Sequence, residues 1–253
     1  MILNSFQLVG RTAIVTGCNT GLGQGMALAL AQAGADIVGV NQSAPVETMA
    51  QVKALGRKFL DIQKDLSDTA ALPGIVEQAL TLNGRVDILV NNAGIIRRED
   101  AINFSESDWD DVVTLNLKNL FFLAQAVARQ FIAQGTGGKI INVASMLSFQ
   151  GGVRVPSYTA SKSGVMGITR ALANEWAKHG INVNAIAPGY MATDNTAALQ
   201  ADPVRNAAIL DRIPAGRWGA PADMAGPVVF LASAASDYVN GYTVAVDGGW
   251  LAR

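Results

Sequence analysis

Short runs of β-branched and aliphatic residues alternate with longer amphipathic stretches along this chain. The runs at 12–16, 36–40, 59–62, 88–91, 139–143, 181–186 and 243–246 are four to six residues long and rich in Val and Ile, as buried strands are. Between them, 21–33 is dense in Ala, Leu and Met. The stretch 105–134 opens on Ser-Glu-Ser-Asp, a helix-start signature, and 158–179 stops at Gly180, which suits a helix C-cap. Strands separated by helices predict βαβ units and an α/β fold whose parallel sheet is buried on both faces. No repeat, low-complexity tract or long linker interrupts the pattern, so 1–253 reads as one domain. The stretch 191–220, with Pro203 and Pro214, shows no regular period. It follows a strand end late in the chain, where a segment covering the substrate is expected.

Composition narrows the setting. Half of the 253 residues are hydrophobic and only 15% are charged, enough to bury a large core. Charge this sparse points to surface that meets other subunits. Nineteen basic against twenty acidic residues, net −1, provide no basic field for nucleic acid. The single cysteine, Cys18, excludes an internal disulfide and suggests a reducing compartment. The first residues lack an export signal and no apolar run reaches membrane-spanning length. A soluble cytoplasmic protein without membrane or nucleic-acid partners is expected, and no metal.

The first strand runs into Thr16-Gly17-Cys18-Asn19-Thr20-Gly21-Leu22-Gly23 and then a helix begins. Glycines there let the backbone approach a pyrophosphate, and the helix N-terminus offers unpaired N–H groups and a favourable dipole. Ordinary strand-to-helix turns also use glycine; the position after the first strand favours a dinucleotide. The second strand ends at Asn41, where an acid would ordinarily hold the adenine ribose. Asn41 can hydrogen-bond a 2′-hydroxyl, and no basic residue lies in the loop or between Asn41 and Lys53, so NAD is expected over NADP. Asp65, followed by Leu66, reads equally as a helix cap or as a contact to the adenine edge.

Tyr158 and Lys162 stand four apart in a helical pattern, on one face. A cation beside a phenol can lower its pKa by roughly 1–3 units, which would make Tyr158 an acid/base group. Such pairs are also common on plain amphipathic helices. Ser145 follows an apolar strand at the carboxyl end, where α/β sheets bind ligands; its hydroxyl could polarise a substrate oxygen or merely cap a turn. Asn91-Asn92-Ala93-Gly94 permits close approach to a ribose or makes a plain turn. Asn116 is a poor helix former inside a helical pattern, fitting a buried amide or a water-linked proton path.

Taken together, TGxxxGxG at 16–23, NNAG at 91–94, Asn116, Ser145, YxxxK at 158–162, Pro188-Gly189 and Val246-Asp247-Gly248-Gly249 resemble the short-chain dehydrogenase/reductase family along the whole chain. The resemblance implies a single-domain Rossmann-like, doubly wound sheet of about seven parallel strands flanked by helices. It implies NAD-linked hydride transfer, with Tyr158 as acid/base, Ser145 on the substrate oxygen, Lys162 lowering the tyrosine pKa and holding the nicotinamide ribose, and Asn116 completing a proton relay. Gly17, Asn19, Gly21, Leu22, Gly23, Asn41, Asp65, Leu66, Asn92, Ala93, Gly94, Pro188, Gly189 and Met191 would line the cofactor, and Thr193 would bind its carboxamide. It also implies a homotetramer, with Phe121, Phe122, Val165 and Met166 as surplus apolar positions on the pairing helices.

Arginines near these motifs bear on the substrate. Arg97 and Arg98 follow Gly94, and Arg154 lies between Ser145 and Tyr158; each could recognise a carboxylate or simply face solvent. The stretches 94–101, 144–162 and 237–253 resemble the family's sugar-acid members, which serve hexuronate breakdown. A sugar-acid substrate is therefore expected, held by Ser145, Met146, Gln150, Arg154 and Arg97. Rivals are a gluconate dehydrogenase, a reductase of carrier-bound oxoacyl chains, and a non-catalytic NAD sensor, which would be expected to lose Ser145, Tyr158 or Lys162.

Overall fold

A computed structural model describes all residues 1–253. Seven strands form one parallel sheet: β1 (Thr12–Thr16), β2 (Asp36–Asn41), β3 (Phe59–Gln63), β4 (Ile88–Asn91), β5 (Gly138–Val143), β6 (Ile181–Pro188) and β7 (Thr243–Val246), in the order β3-β2-β1-β4-β5-β6-β7. The predicted strands agree with these to within two residues at each end. Alternation inside each apolar run sorts the side chains between two cores. Ala13, Val15, Ile88 and Val90 face one core beneath α1 (Gly21–Gln32) and α9 (Ala225–Ala232). Ile14, Leu89 and Ile140 face the other, beneath α3 (Leu72–Asn83), α5 (Leu120–Gln134) and α6 (Pro156–Trp176). The chain leaves β3 and re-enters at β4 on the far side of β1, which opens a crevice at the carboxyl ends of β1 and β4. No helix is long and apolar enough to cross a membrane.

The long helix expected over 105–134 is interrupted. α4 (Glu106–Val113) begins at Ser105, whose hydroxyl accepts the Asp108 N–H at 3.1 Å. A π-helical turn, Thr114–Asn119, then precedes α5. Wide turns of this kind concentrate at functional sites, and this one contains Asn116. The stretch expected to be irregular, 191–220, carries α7 (Ala197–Ala201) and α8 (Pro203–Arg212). Asp202 caps α8 by accepting the Val204 and Arg205 N–H groups, with Pro203 in the first turn. α2 (Val46–Ala54), α3 and α9 were not singled out beforehand. Of the four apolar residues thought surplus, Val165 is fully buried and Phe121 packs on the core, whereas Phe122 is exposed.

Candidate active site

The glycine loop is held by side chains that bond to its backbone. Thr16 Oγ1 accepts the Asn92 and Ala93 N–H groups at 3.0 and 2.9 Å. Asn92 Nδ2 donates to the Thr16 and Gly17 carbonyls at 3.0 and 2.9 Å. Gly23 sits so close to Gly17 that a Cβ would lie 2.0 Å from the Gly17 oxygen. Gly17 and Gly21 adopt φ of 65° and 58°, which favours glycine at both. Thr20, at the start of α1, makes no side-chain cap, so the first-turn amides are not taken by it. Thr193 faces Gly21 across the trench: its Cγ2 is 3.6 Å from where a Gly21 Cβ would stand. A groove bare of side chains, floored by amides and closed by a threonine, fits a dinucleotide pyrophosphate.

Asn41 serves the loop. Its side chain is buried; Oδ1 accepts the Cys18 N–H at 2.7 Å, and Nδ2 faces Cys18 Sγ at 3.6 Å. The ribose-reading role expected of this amide is corrected: burial turns it inward to secure the loop. Desolvation pushes the Cys18 thiol up to about 11, so it stays protonated. Asn19 donates to the Ser43 carbonyl and hydroxyl at 3.1 and 2.9 Å, joining the loop to the turn after β2. Asp65 uses one oxygen to accept the Ser67 N–H at 2.8 Å; this bond lowers its pKa. Leu66 is buried, and its carbonyl accepts from Asn119 Nδ2 at 2.8 Å. Pro188 ends β6, and a Cβ on Gly189 would strike Asp247; Met191 is buried and bridged to Gly219.

Ser145, Tyr158 and Lys162 converge at the carboxyl end of β5. The Ser145 hydroxyl, which accepts the Leu147 N–H at 3.1 Å, draws the Tyr158 phenol pKa down, but burial outweighs that influence and pushes it up. Lys162 is buried and donates to the Val143 carbonyl at 2.7 Å, with Nζ 5.6 Å from the Tyr158 ring centre. Burial holds its pKa down at about 8. The Arg98 charge also pulls the Tyr158 pKa down, by less than burial raises it. Gly94 leaves room beside Lys162: a Cβ there would be 3.7 Å from Nζ and 3.0 Å from Asn116 Oδ1. The Asn116 amide is occupied on both sides, accepting the Ile95 N–H and donating to the Ile95 carbonyl, each at 2.9 Å. Its side chain clamps the 94–96 segment.

The chain matches the short chain dehydrogenase family over residues 11–204. It belongs to the short-chain dehydrogenases. It is 70% identical over its whole length, and that of the relative, to 2-dehydro-3-deoxy-D-gluconate 5-dehydrogenase of Escherichia coli. The enzyme of that name from Bacillus subtilis is 54% identical, covering 99% of this chain and 98% of its own. Among solved structures, a candidate 2-deoxy-D-gluconate 3-dehydrogenase from Agrobacterium tumefaciens with bound NADP is 56% identical (TM-score 0.93), covering 99% and 100% of the two chains. A gluconate 5-dehydrogenase from Burkholderia cenocepacia, in complex with NADP and tartrate, is 38% identical (TM-score 0.94), covering all of both chains.

Within this short-chain dehydrogenase the arginines part company. Arg154 has φ 65° and pairs with Asp100 at 3.0 Å and Glu99 at 3.7 Å, half exposed. Arg97 pairs with Asp108 at 3.3 Å and Asp111 at 3.2 Å. Both guanidiniums are paired with carboxylates of this chain. Arg98 makes no ion pair; it reaches the Asn195 carbonyl at 3.5 Å and acts on Tyr158. Met146 is buried in a cluster with Ile209, and Gln150 bonds to Trp250 and Arg212. Two residues went unremarked in the sequence. Ser148 Oγ accepts the Ser145 N–H at 3.3 Å and donates to the Lys162 carbonyl at 2.6 Å, tying the two catalytic segments together. Ser161 lies against Asn116 Nδ2 at 3.4 Å. The Ser-x-x-Ser spacing of a capping box was the available signal for Ser148.

Proposed function

We propose that this enzyme transfers a hydride between NAD(H) and a carboxylate-bearing sugar, the pair being 2-dehydro-3-deoxy-D-gluconate and its 5-keto form. The observation that carries the acid is Arg98, an exposed guanidinium that reaches the Asn195 carbonyl, has no acidic partner of its own and whose charge is felt at Tyr158. The names of the relatives at 70% and 54% identity support the same substrate. A bound nicotinamide supplies the hydride acceptor or donor. In oxidation Tyr158, as phenolate, takes the proton of the substrate hydroxyl while its carbon gives up the hydride; in reduction Tyr158 returns a proton to the carbonyl oxygen. Ser145 donates to that oxygen and stabilises the alkoxide character that develops. Lys162, beside the space left by Gly94, holds the nicotinamide ribose.

Preference for NAD(H) rests on the turn after β2. Gln42 and Ser43 stand there, and no cation precedes Lys53 to meet a 2′-phosphate. Two solved relatives hold NADP, so kinetics with both cofactors are the direct check; a higher kcat/KM with NADPH overturns this part. Pairing of α4–α6 faces into a homotetramer is part of the proposal, with Trp109 and Phe122 exposed there; light scattering tests it.

The substrate test is Arg98→Gln. A charge-assisted hydrogen bond of roughly 1.5–3 kcal/mol predicts a loss of about 10- to 200-fold in kcat/KM for the sugar acid. Its methyl ester should lose less than the acid, only what the Arg98 charge contributes at Tyr158, and Arg154→Ala should change use of the acid little. Equal losses on acid and ester would make Arg98 a structural group and refute the carboxylate anchor.

A further inference from the structure

The segment over the cleft has little of its own to hold it down. α7 buries no residue and α8 buries only Ile209. Ile209 and Ile213 rest on Met146, next to Ser145, and on Trp250, near the chain's end. Trp250 is 4% exposed. Its indole N–H donates to Gln150 Oε1 at 3.2 Å, and the same oxygen accepts Arg212 Nη2 at 3.4 Å. The Arg212 guanidinium also lies over the indole, 4.0 Å from the ring centre. Arg253 donates to the Asp211 carbonyl at 3.0 Å. The end of α8, the C-terminal tail and the loop that starts at Ser145 thus meet at one amide oxygen.

The tail is itself fixed. Asp247 accepts the Gly249 and Leu251 N–H groups, each at 2.9 Å. Gly249 adopts φ 92°, and Pro214 lies 3.1 Å from where a Cβ would stand. A segment whose buried residues are only Ile209 and Ile213 opens readily unless something outside it supplies apolar surface. Trp250 supplies that surface on one side and a hydrogen bond to the catalytic loop on the other.

We propose that Trp250 and Gln150 are positioning residues that latch α8 over the substrate cleft, so that closure of the cover and placement of the Ser145–Gln150 segment are one event. The latch is a property of the ligand-free chain; only the identity of the substrate it encloses rests on the function proposed above. Trp250 and Gln150 act through α8 and the loop, without touching the reacting atoms. Opening of the cover lowers the fraction of enzyme competent to hold substrate and raises apparent KM by the same factor.

The test is amide hydrogen exchange of residues 197–213 in the ligand-free protein, with exchange of β1, β4 and β5 as the internal measure of intact folding. Trp250→Ala should speed exchange in 197–213 by at least about tenfold, the effect of losing a hydrogen bond together with its ring contact. Arg212→Gln changes an exposed residue that the fold does not need; it should speed exchange in the same segment by a smaller factor. In steady state both variants should raise KM for the sugar acid more than they lower kcat, and Trp250→Phe, which keeps the ring, should recover most of the loss. If Trp250→Ala loosens the strands as well, Arg212→Gln decides. Unchanged exchange in 197–213 for Arg212→Gln, or a kcat loss without a KM change, overturns the latch. Faster exchange in a protein that ignores the sugar acid would refute the substrate and leave the latch standing.

Discussion

On the β1 side of the cleft, the glycine loop is tied down by Thr16, Asn41 and Asn92, whose polar atoms are occupied by backbone or thiol partners. On the β6 side, α7 and α8 together bury one residue, and their fastening comes from Met146, Gln150 and Trp250, far apart in sequence. The difference teaches what each half has to do. A pyrophosphate is an invariant shape that a rigid, side-chain-free groove can anticipate. A substrate must enter and leave, and a segment of low local stability is what a cover over it would need.

The largest effect is expected where the halves meet. Tyr158→Phe should lower kcat by ~10²–10⁴-fold while the nucleotide dissociation constant, read by fluorescence titration, stays unchanged. A variant retaining more than a tenth of parental kcat would remove Tyr158 from the chemistry. Gly23→Ala tests the rigidity of the β1 side alone. Its Cβ would collide with the Gly17 oxygen, and overpacking of about 1–3 kcal/mol should weaken nucleotide binding ~5- to 150-fold. Undiminished nucleotide affinity would show that the loop yields, which would break the comparison.

Lys162→Met separates function from stability. Lys162 ionises at about 8 in the folded chain against an ordinary 10.5, so between those values the unfolded chain binds more protons and stability rises with pH. Below pH 8 the buried cation costs the full amount, on the order of 2–3 kcal/mol. The variant should therefore be inactive yet melt higher than the parent at pH 7, with the gap closing as pH climbs from 8 to 10.5. A lower melting temperature at pH 7 would show that the bond to Val143 outweighs the desolvation. The smallest effect concerns cofactor choice. Asn41→Ala should weaken NAD and NADP together, since its amide holds the loop, whereas Gln42→Arg should shift preference toward NADP by about tenfold, the effect of one charge-assisted contact. A selective change from Asn41→Ala would restore Asn41 to the ribose.

Much of the β1 side was legible in the chain. TGxxxGxG, NNAG and YxxxK announce themselves because each needs particular residue types at fixed short spacings, set by a turn, a helix start or one helical turn. The Asp202-Pro203 start of α8 was passed over within a stretch read as irregular, because the apolar period of that helix is faint: it buries only Ile209. The π turn at Asn116 left no signal, since its widening answers to packing between α5, α6 and the Ile95 backbone.

By itself the sequence determined the strand order's raw material and the candidate site motifs: apolar runs whose alternation sorts residues between two cores, and motifs local enough to be read in one window. Only the tertiary structure decided which way long polar side chains turn. Arg97, Arg98 and Arg154 are equivalent as letters, yet acids from α4 and from the 99–100 turn pair with two of them and leave Arg98 on the Asn195 carbonyl without an acidic partner. Asn41 was placed correctly at the end of β2, but burial against Cys18 reversed the direction of its amide. Trp250 meets α8 only because the tail, α8 and the Ser145 loop, some 100 residues from Gln150 to the indole, converge at a single carbonyl oxygen. Charge pairing and burial are relations between distant segments, and a one-dimensional pattern does not contain them.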